Sequence, residues 1–150
     1  MDEGLSIKRH YFDENDTHKG MMYALQRTGG NDCIDDCART DPQKLRAIAR
    51  TAKRIYDRGC SFGFESETIK QIKAGRSSVQ VFEVRVKGTV IRVAAHIHEN
   101  WIPIYLFVFD THQGSGNNLP KHHIDRAVSM AQAAAECAKD YDFSEYGGAR

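Results

Sequence analysis

Arg85 and Arg92, with Glu83 beside them, alternate with apolar residues in VQVFEVRVKGTVIRVAAHIHENWIPIYLFVF, which runs from Val79 to Phe109. Guanidinium groups on a rigid strand are planar donors that match the oxygens of phosphate or carboxylate. His96 and His98 continue the same alternation, His112 lies in the polar stretch that follows, and His122 and His123 come soon after. Imidazole changes charge near neutral pH, which makes it the usual proton-transfer group. The chemistry open to these residues is anion binding with proton transfer beside it. The same residues also fit a surface ion pair worth under about 1 kcal/mol, and seven histidines in 150 residues need no catalytic reason.

Two tight hairpins must position them. Lys87-Gly88 reads as a two-residue loop, Gly supplying the positive φ of a primed turn. That loop sets Val86 opposite Thr89, Val84 opposite Ile91 and Phe82 opposite Val93, an apolar face. On the other face Glu83 would oppose Arg92 and hold its guanidinium still. If Glu99-Asn100 closes the second hairpin, Ile91, Val93, Ala95 and Ile97 meet Val108, Leu106, Ile104 and Ile102 on the apolar face. Tyr105, Phe107 and Phe109 then occupy the other side of the third strand. A strand apolar on both faces is central in its sheet or lines a partly covered groove.

The rest of the chain gives weaker signals. Leu5 to Phe12 fits a strand, Thr17 to Arg27 a short helix, and Asn31 to Thr40 an irregular, solvent-facing segment. Cys33 and Cys37 would share a helical face near Asp32, Asp35 and Asp36, but no second Cys/His pair follows at zinc-finger spacing, so no metal is expected. Asp41 to Arg58 is the clearest helix, with Asp41 as N-cap, Pro42 in the first turn and Gly59 as the stop. Its polar face carries Lys44, Arg46, Arg50, Lys53, Arg54 and Arg58, either simply solvated or turned to RNA, DNA or an acidic protein. Cys60 to Ser66 reads as a loop, Glu67 to Ala74 as a short helix, Pro120 to Lys139 as a helix with a small-residue face, and the tail as loosely held.

A chain of 150 residues suits one domain with a real core. Net charge is +1, which argues against bulk nucleic-acid binding, yet residues 43 to 100 hold twelve Lys/Arg against five Asp/Glu while both flanks are acidic. No apolar run is long enough to cross a bilayer, no basic-then-apolar leader opens the sequence, and the four cysteines are dispersed. A cytoplasmic, membrane-free protein is the expectation.

FEVRV, Arg92 on the next strand, a third strand ending in Phe109 and a polar loop, and a helix opening with Pro120-Lys121 and holding Ile124, Asp125, Arg126 and Ala127 together form a pattern. It resembles the RelE/ParE/HigB toxins of bacterial type II toxin–antitoxin systems, especially the phage-derived HigB-like branch. The likeness spans about residues 44 to 138, including the K-x-I-K segment at Lys70 to Lys73, and leaves about residues 1 to 40 as an N-terminal extension. It implies a RelE-like α+β fold of the microbial-ribonuclease type: an antiparallel sheet of three to four strands, helices packed on one face, the other face concave and functional.

The resemblance further implies a toxin that cleaves mRNA at the ribosome without metal or cofactor, neutralised by a cognate antitoxin. Without that antitoxin, exposed apolar surface would favour a homodimer. Arg85 and Arg92 would bind the phosphate and its transition state, with Glu83 orienting Arg92. His112 leads for proton transfer, with His96, His98, His122 and His123 as alternates. Arg76, Lys121 and His122 would add RNA contacts. The sequence departs from the family where a Lys-Lys pair should follow the Phe, since Asp110, Thr111 and His112 stand there. That departure favours the alternative of a ParE-like gyrase inhibitor; a catalytically silent partner-binding protein is the third reading.

Overall fold

The computed structural model describes residues 4–13, 20–73, 79–111 and 120–150. Helix α2 (Pro42–Arg58) forms where its caps demand it: the Asp41 carboxylate accepts the Lys44 amide at 3.1 Å and Pro42 sits in the first turn. Gly59 ends it at φ +94°, where a Cβ would lie 2.5 Å from the Arg150 carbonyl carbon. Ile48, Ala52 and Ile55 bury one stripe, leaving the basic face outside.

The sheet is larger than expected. Strands β1 (Leu5–Tyr11), β2 (Met21–Arg27), β3 (Ile69–Ile72), β4 (Val81–Arg85), β5 (Ile91–His98) and β6 (Ile102–Asp110) form one six-stranded sheet in the order β1-β2-β6-β5-β4-β3. It is mixed, because β2 runs parallel to β6 while the other pairs are antiparallel. The expectation of three to four purely antiparallel strands is therefore corrected. β2 replaces the expected helix at Thr17 to Arg27: Met21 to Leu25 are all buried, and a short apolar run enclosed on both sides has no helical stripe to show. β3 likewise replaces the helix expected over Glu67 to Ala74.

The helices lie on both faces, which corrects the one-sided arrangement. Along β4, Val81 enters one core and Phe82 the other. On the Phe82 side lie α1 (Cys33–Thr40), α2 and α3 (Cys60–Glu65), through Ile34, Cys37, Ile48, Ile55 and Cys60. On the Val81 side lies α4 (Lys121–Ala138), whose Ala127, Ala131 and Ala134 are fully buried against the sheet. No helix among the described residues is long and apolar enough to cross a membrane.

Both hairpins form, with shifted registers. Thr89 accepts the Ile91 amide on its hydroxyl at 3.0 Å and donates that hydroxyl to the Val86 carbonyl at 2.6 Å. The connection thereby widens beyond Lys87-Gly88, and Gly88 takes φ +78° inside the Val86–Thr89 turn. Each β4 residue slides two positions along β5, so Val84 faces Val93 and Arg85 faces Arg92. In the second hairpin Glu99 and Asn100 close the turn with positive φ, 53° and 69°, as a primed two-residue turn requires. A register shift between Ala94 and Ala95 then pairs Ala95 with Tyr105 and Ile97 with Pro103, sending Ile102, Ile104 and Leu106 to the α4 side. β6 is buried on both faces, so the expectation that it is central holds, but no polar alternation was there to fix its register.

The tail is tied down. Tyr146 is buried, with its ring 5.1 Å from Tyr56, 5.3 Å from Trp101 and 5.8 Å from Tyr23. The Ala149 amide donates to the Tyr56 carbonyl at 2.8 Å, so the segment after α4 reaches α2 on the opposite face of the sheet. Tyr146→Ala should cost about 3 kcal/mol in urea unfolding, whereas Phe64→Ala, at a ring 41% exposed, should cost under about 1 kcal/mol. Equal losses would mean that the tail does not fasten the fold.

Candidate phosphate-binding site

The sheet's side-chain alternation delivers Glu83, Arg85, Arg92, His96 and His98 to one face, as the sequence implied. The register decides which of them meet. Arg85, Arg92 and Phe109 stand side by side on β4, β5 and β6. The next row holds Lys70, Glu83, Ala94 and Phe107. Glu83 accepts the Arg85 Nε at 2.9 Å, so it orients Arg85, and the expected Glu83–Arg92 pairing is corrected. The two-residue slip that widened the turn put Ala94 opposite Glu83 instead.

Arg92 is held by the turn. Its Nη1 donates to the Thr89 and Ile91 carbonyls, both at 2.9 Å. Its Nε is buried with no hydrogen-bond partner among the described residues. Burial, and then the facing Arg85, pull the Arg92 pKa below the usual arginine value, while Glu83 works in the opposite direction. Like charges directly across a strand pair destabilise it. Two half-buried guanidiniums with a single carboxylate beside them, bonded to Arg85, therefore form a site whose electrostatics favour an added anion.

The start of α4 roofs the neighbouring aromatics. The His123 ring stacks on Phe109 at 5.6 Å and 25°, His122 sits 4.2 Å from His123, and the Arg126 guanidinium carbon lies 4.2 Å over Phe107. Burial, then His122 and Arg126, push the His123 pKa down, so near neutral pH this imidazole is a proton acceptor. His96 lies one row deeper, opposite Ile104. Its Nδ1 is buried and unpartnered, and burial lowers its pKa against a partly compensating hydrogen bond with the Gln80 backbone. His98 stacks on Phe143 at 4.7 Å, under the tail, which takes it away from the arginines. Lys121 and His122 are exposed at the start of α4. Arg76 and His112 lie outside the described residues.

A second polar cluster escaped the sequence reading. Asp32, fully buried, accepts His10 Nε2 at 2.6 Å and the Asp35 amide at 2.8 Å, while Asp35 receives the Lys8 ammonium at 2.9 and 3.1 Å. His10, Asp32 and Asp35 lie close enough together to share a cation, but their donor atoms already serve each other and Lys8. The cluster caps α1 and ties it to β1. The D-x-x-D spacing was the legible signal for that cap; the 22-residue separation hid His10. Cys33 and Cys37 turn inward on α1, and burial raises both thiols above their ordinary pKa, so they suit the core better than thiolate chemistry.

Comparison with known proteins finds no matching family model, no matching curated protein and no matching solved structure. The site therefore rests on its own geometry. His96 and His123 both favour the neutral form in the folded chain, below the ordinary 6.5. Stability from this source is present above about pH 6.5 and is lost as pH falls through the lower folded values, because the unfolded chain takes up protons first. Urea unfolding should weaken on acidification from about pH 7 to about pH 5, and His96→Gln should flatten that dependence. An unchanged slope in the variant would contradict the assignment.

Proposed function

We propose that the protein is a metal-independent endoribonuclease of the RelE/HigB toxin type, acting on mRNA at the ribosome and held inactive by a small antitoxin. One observation carries the reading: Arg85 and Arg92 face each other at the half-exposed end of a sheet, one of them with an unpartnered buried Nε. Ribose-directed cleavage needs the 2′-hydroxyl deprotonated, the pentacovalent phosphate stabilised and the 5′-oxygen protonated. Two fixed guanidiniums suit the second task, since their donors are already in place when charge develops on the phosphate.

His123 suits the first task. It stacks on Phe109, the next neighbour of Arg92 on the sheet, and its lowered pKa keeps it ready to accept a proton near neutrality. Exposed His122, 4.2 Å away, suits the return of a proton to the leaving oxygen. In this reading the positive charge of the missing Lys-Lys pair passes to the start of α4, where Lys121, His122 and His123 follow one another. Glu83 acts through Arg85 as a positioning residue.

Controlled expression of the wild type beside Arg85→Ala/Arg92→Ala, with growth followed and mRNA ends mapped, tests this directly. Arrest with new mRNA ends, both lost in the variant, is expected. In purified form with chelator present, each single Arg→Ala should lower RNA cleavage about 10²- to 10³-fold, and His123→Ala about 10²-fold or more. Arrest with intact mRNA and a DNA-damage response would replace this reading with gyrase inhibition, and no arrest would leave a silent partner-binding protein.

A further inference from the structure

On the far side of Arg85 a niche of about 270 Å³ opens between α2 and the β4–β5 turn. Arg50 and Arg54 line it from the helix, Lys87 and Thr89 from the turn, and Arg85 and Thr68 from the sheet end. Four of its lining residues are cationic and none is acidic. Arg50, Arg54 and Lys87 have no ion-pair partner among the described residues. The acid that follows on α2, Asp57, is paired with Lys53 at 2.9 Å. The Phe62 ring forms one wall and is itself capped by the Arg58 guanidinium carbon at 3.9 Å. The niche hydroxyls are engaged locally, Thr51 with the Ala47 carbonyl, Thr68 with Ser66 and Thr89 with the Val86 carbonyl. What the niche leaves uncompensated is positive charge in a concave site, where field lines converge and counter-ions concentrate.

We propose that this niche is a second phosphate-binding site, taking the backbone phosphate next to the one that Arg85 and Arg92 hold. The proposal rests on the ribonuclease reading for the identity of the strand, and on the niche alone for the phosphate. Arg85 lines the niche at the end of β4 and faces Arg92 across the strand pair, so a single-stranded RNA lying across the end of β4 reaches both places. The volume is just under that of drug-sized pockets, suited to a phosphodiester and its sugar. The basic face of α2 thereby acquires a specific role at Arg50 and Arg54.

The test uses the full chain and a short 2′-O-methyl RNA, which binds without being cut, with affinity measured across a salt series. Arg50→Ser/Arg54→Ser should weaken binding about tenfold at low salt and reduce the log–log salt slope by about 0.7 to 1.4, the share of one to two phosphates on a single strand. Arg39→Ser/Lys139→Ser removes two cations already paired with Asp36 and Glu136 and should change neither. NMR titration with inorganic phosphate should shift the Thr51 and Thr89 amides in the wild type and not in the Arg50/Arg54 variant. Wild-type RNA binding that the Arg50/Arg54 variant matches in affinity and slope overturns the niche and leaves the ribonuclease reading standing. No RNA binding, with phosphate shifts at Thr51 and Thr89, keeps the phosphate site for a free anion and removes the RNA. Neither response overturns both.

Discussion

β6 is apolar on both sides, and that single property sets the architecture. From Ile102 to Phe107 every side chain is buried, so the sheet needs cover above and below, and neighbours on both edges to complete its backbone hydrogen bonds. β5 meets β6 on one edge, and β2 comes in parallel on the other. α1 to α3 close one face and α4 the other. Burial at about 25 cal/mol per Å² drives both packings, and α4 presents Ala127, Ala131 and Ala134 to the strands.

Two layers on opposite faces share few contacts unless something crosses between them. The chain after α4 does so. Tyr141, Phe143 and Tyr146 gather round Tyr23 with ring centroids between 5.0 and 5.8 Å, and the Ala149 amide reaches the Tyr56 carbonyl on α2. Edge-to-face aromatic packing adds to the area buried, and Gly59 leaves room for the terminal backbone against the end of α2. His98, stacked on Phe143, becomes part of this fastening.

The candidate site draws its character from a slip of two residues. Had β4 and β5 met through a two-residue loop, Glu83 would neutralise Arg92 and leave Arg85 to solvent. Thr89 instead bonds the backbone on either side of itself, the turn widens, and two arginines face one another while the one carboxylate beside them, Glu83, bonds Arg85. A neutralised surface ion pair contributes little. An opposed pair of guanidiniums is a standing demand for an anion, and the basic niche behind Arg85 extends that demand along the end of the sheet.

The period-two alternation of β4 and β5 determined, without any structure, which residues share a face: Glu83, Arg85, Arg92 and His96 are together because strand geometry allows nothing else. Asp41, Pro42 and Gly59 likewise marked the bounds of α2, since caps act through neighbouring backbone. A slip by two keeps every side chain on its face, so the alternation could not correct the turn, which as a two-residue loop set Glu83 against Arg92 where the structure sets Arg85. The apolar runs of β2 and β6 carried no alternation to read, which hid one strand and the register of the other. The meeting of His123 with Phe109, of His10 with Asp32, and of Arg50 with Lys87 across the niche depended on where α4, α1 and α2 docked. Only the tertiary structure decided those, because docking is set by the shape of two buried faces and by contacts between residues far apart in the chain.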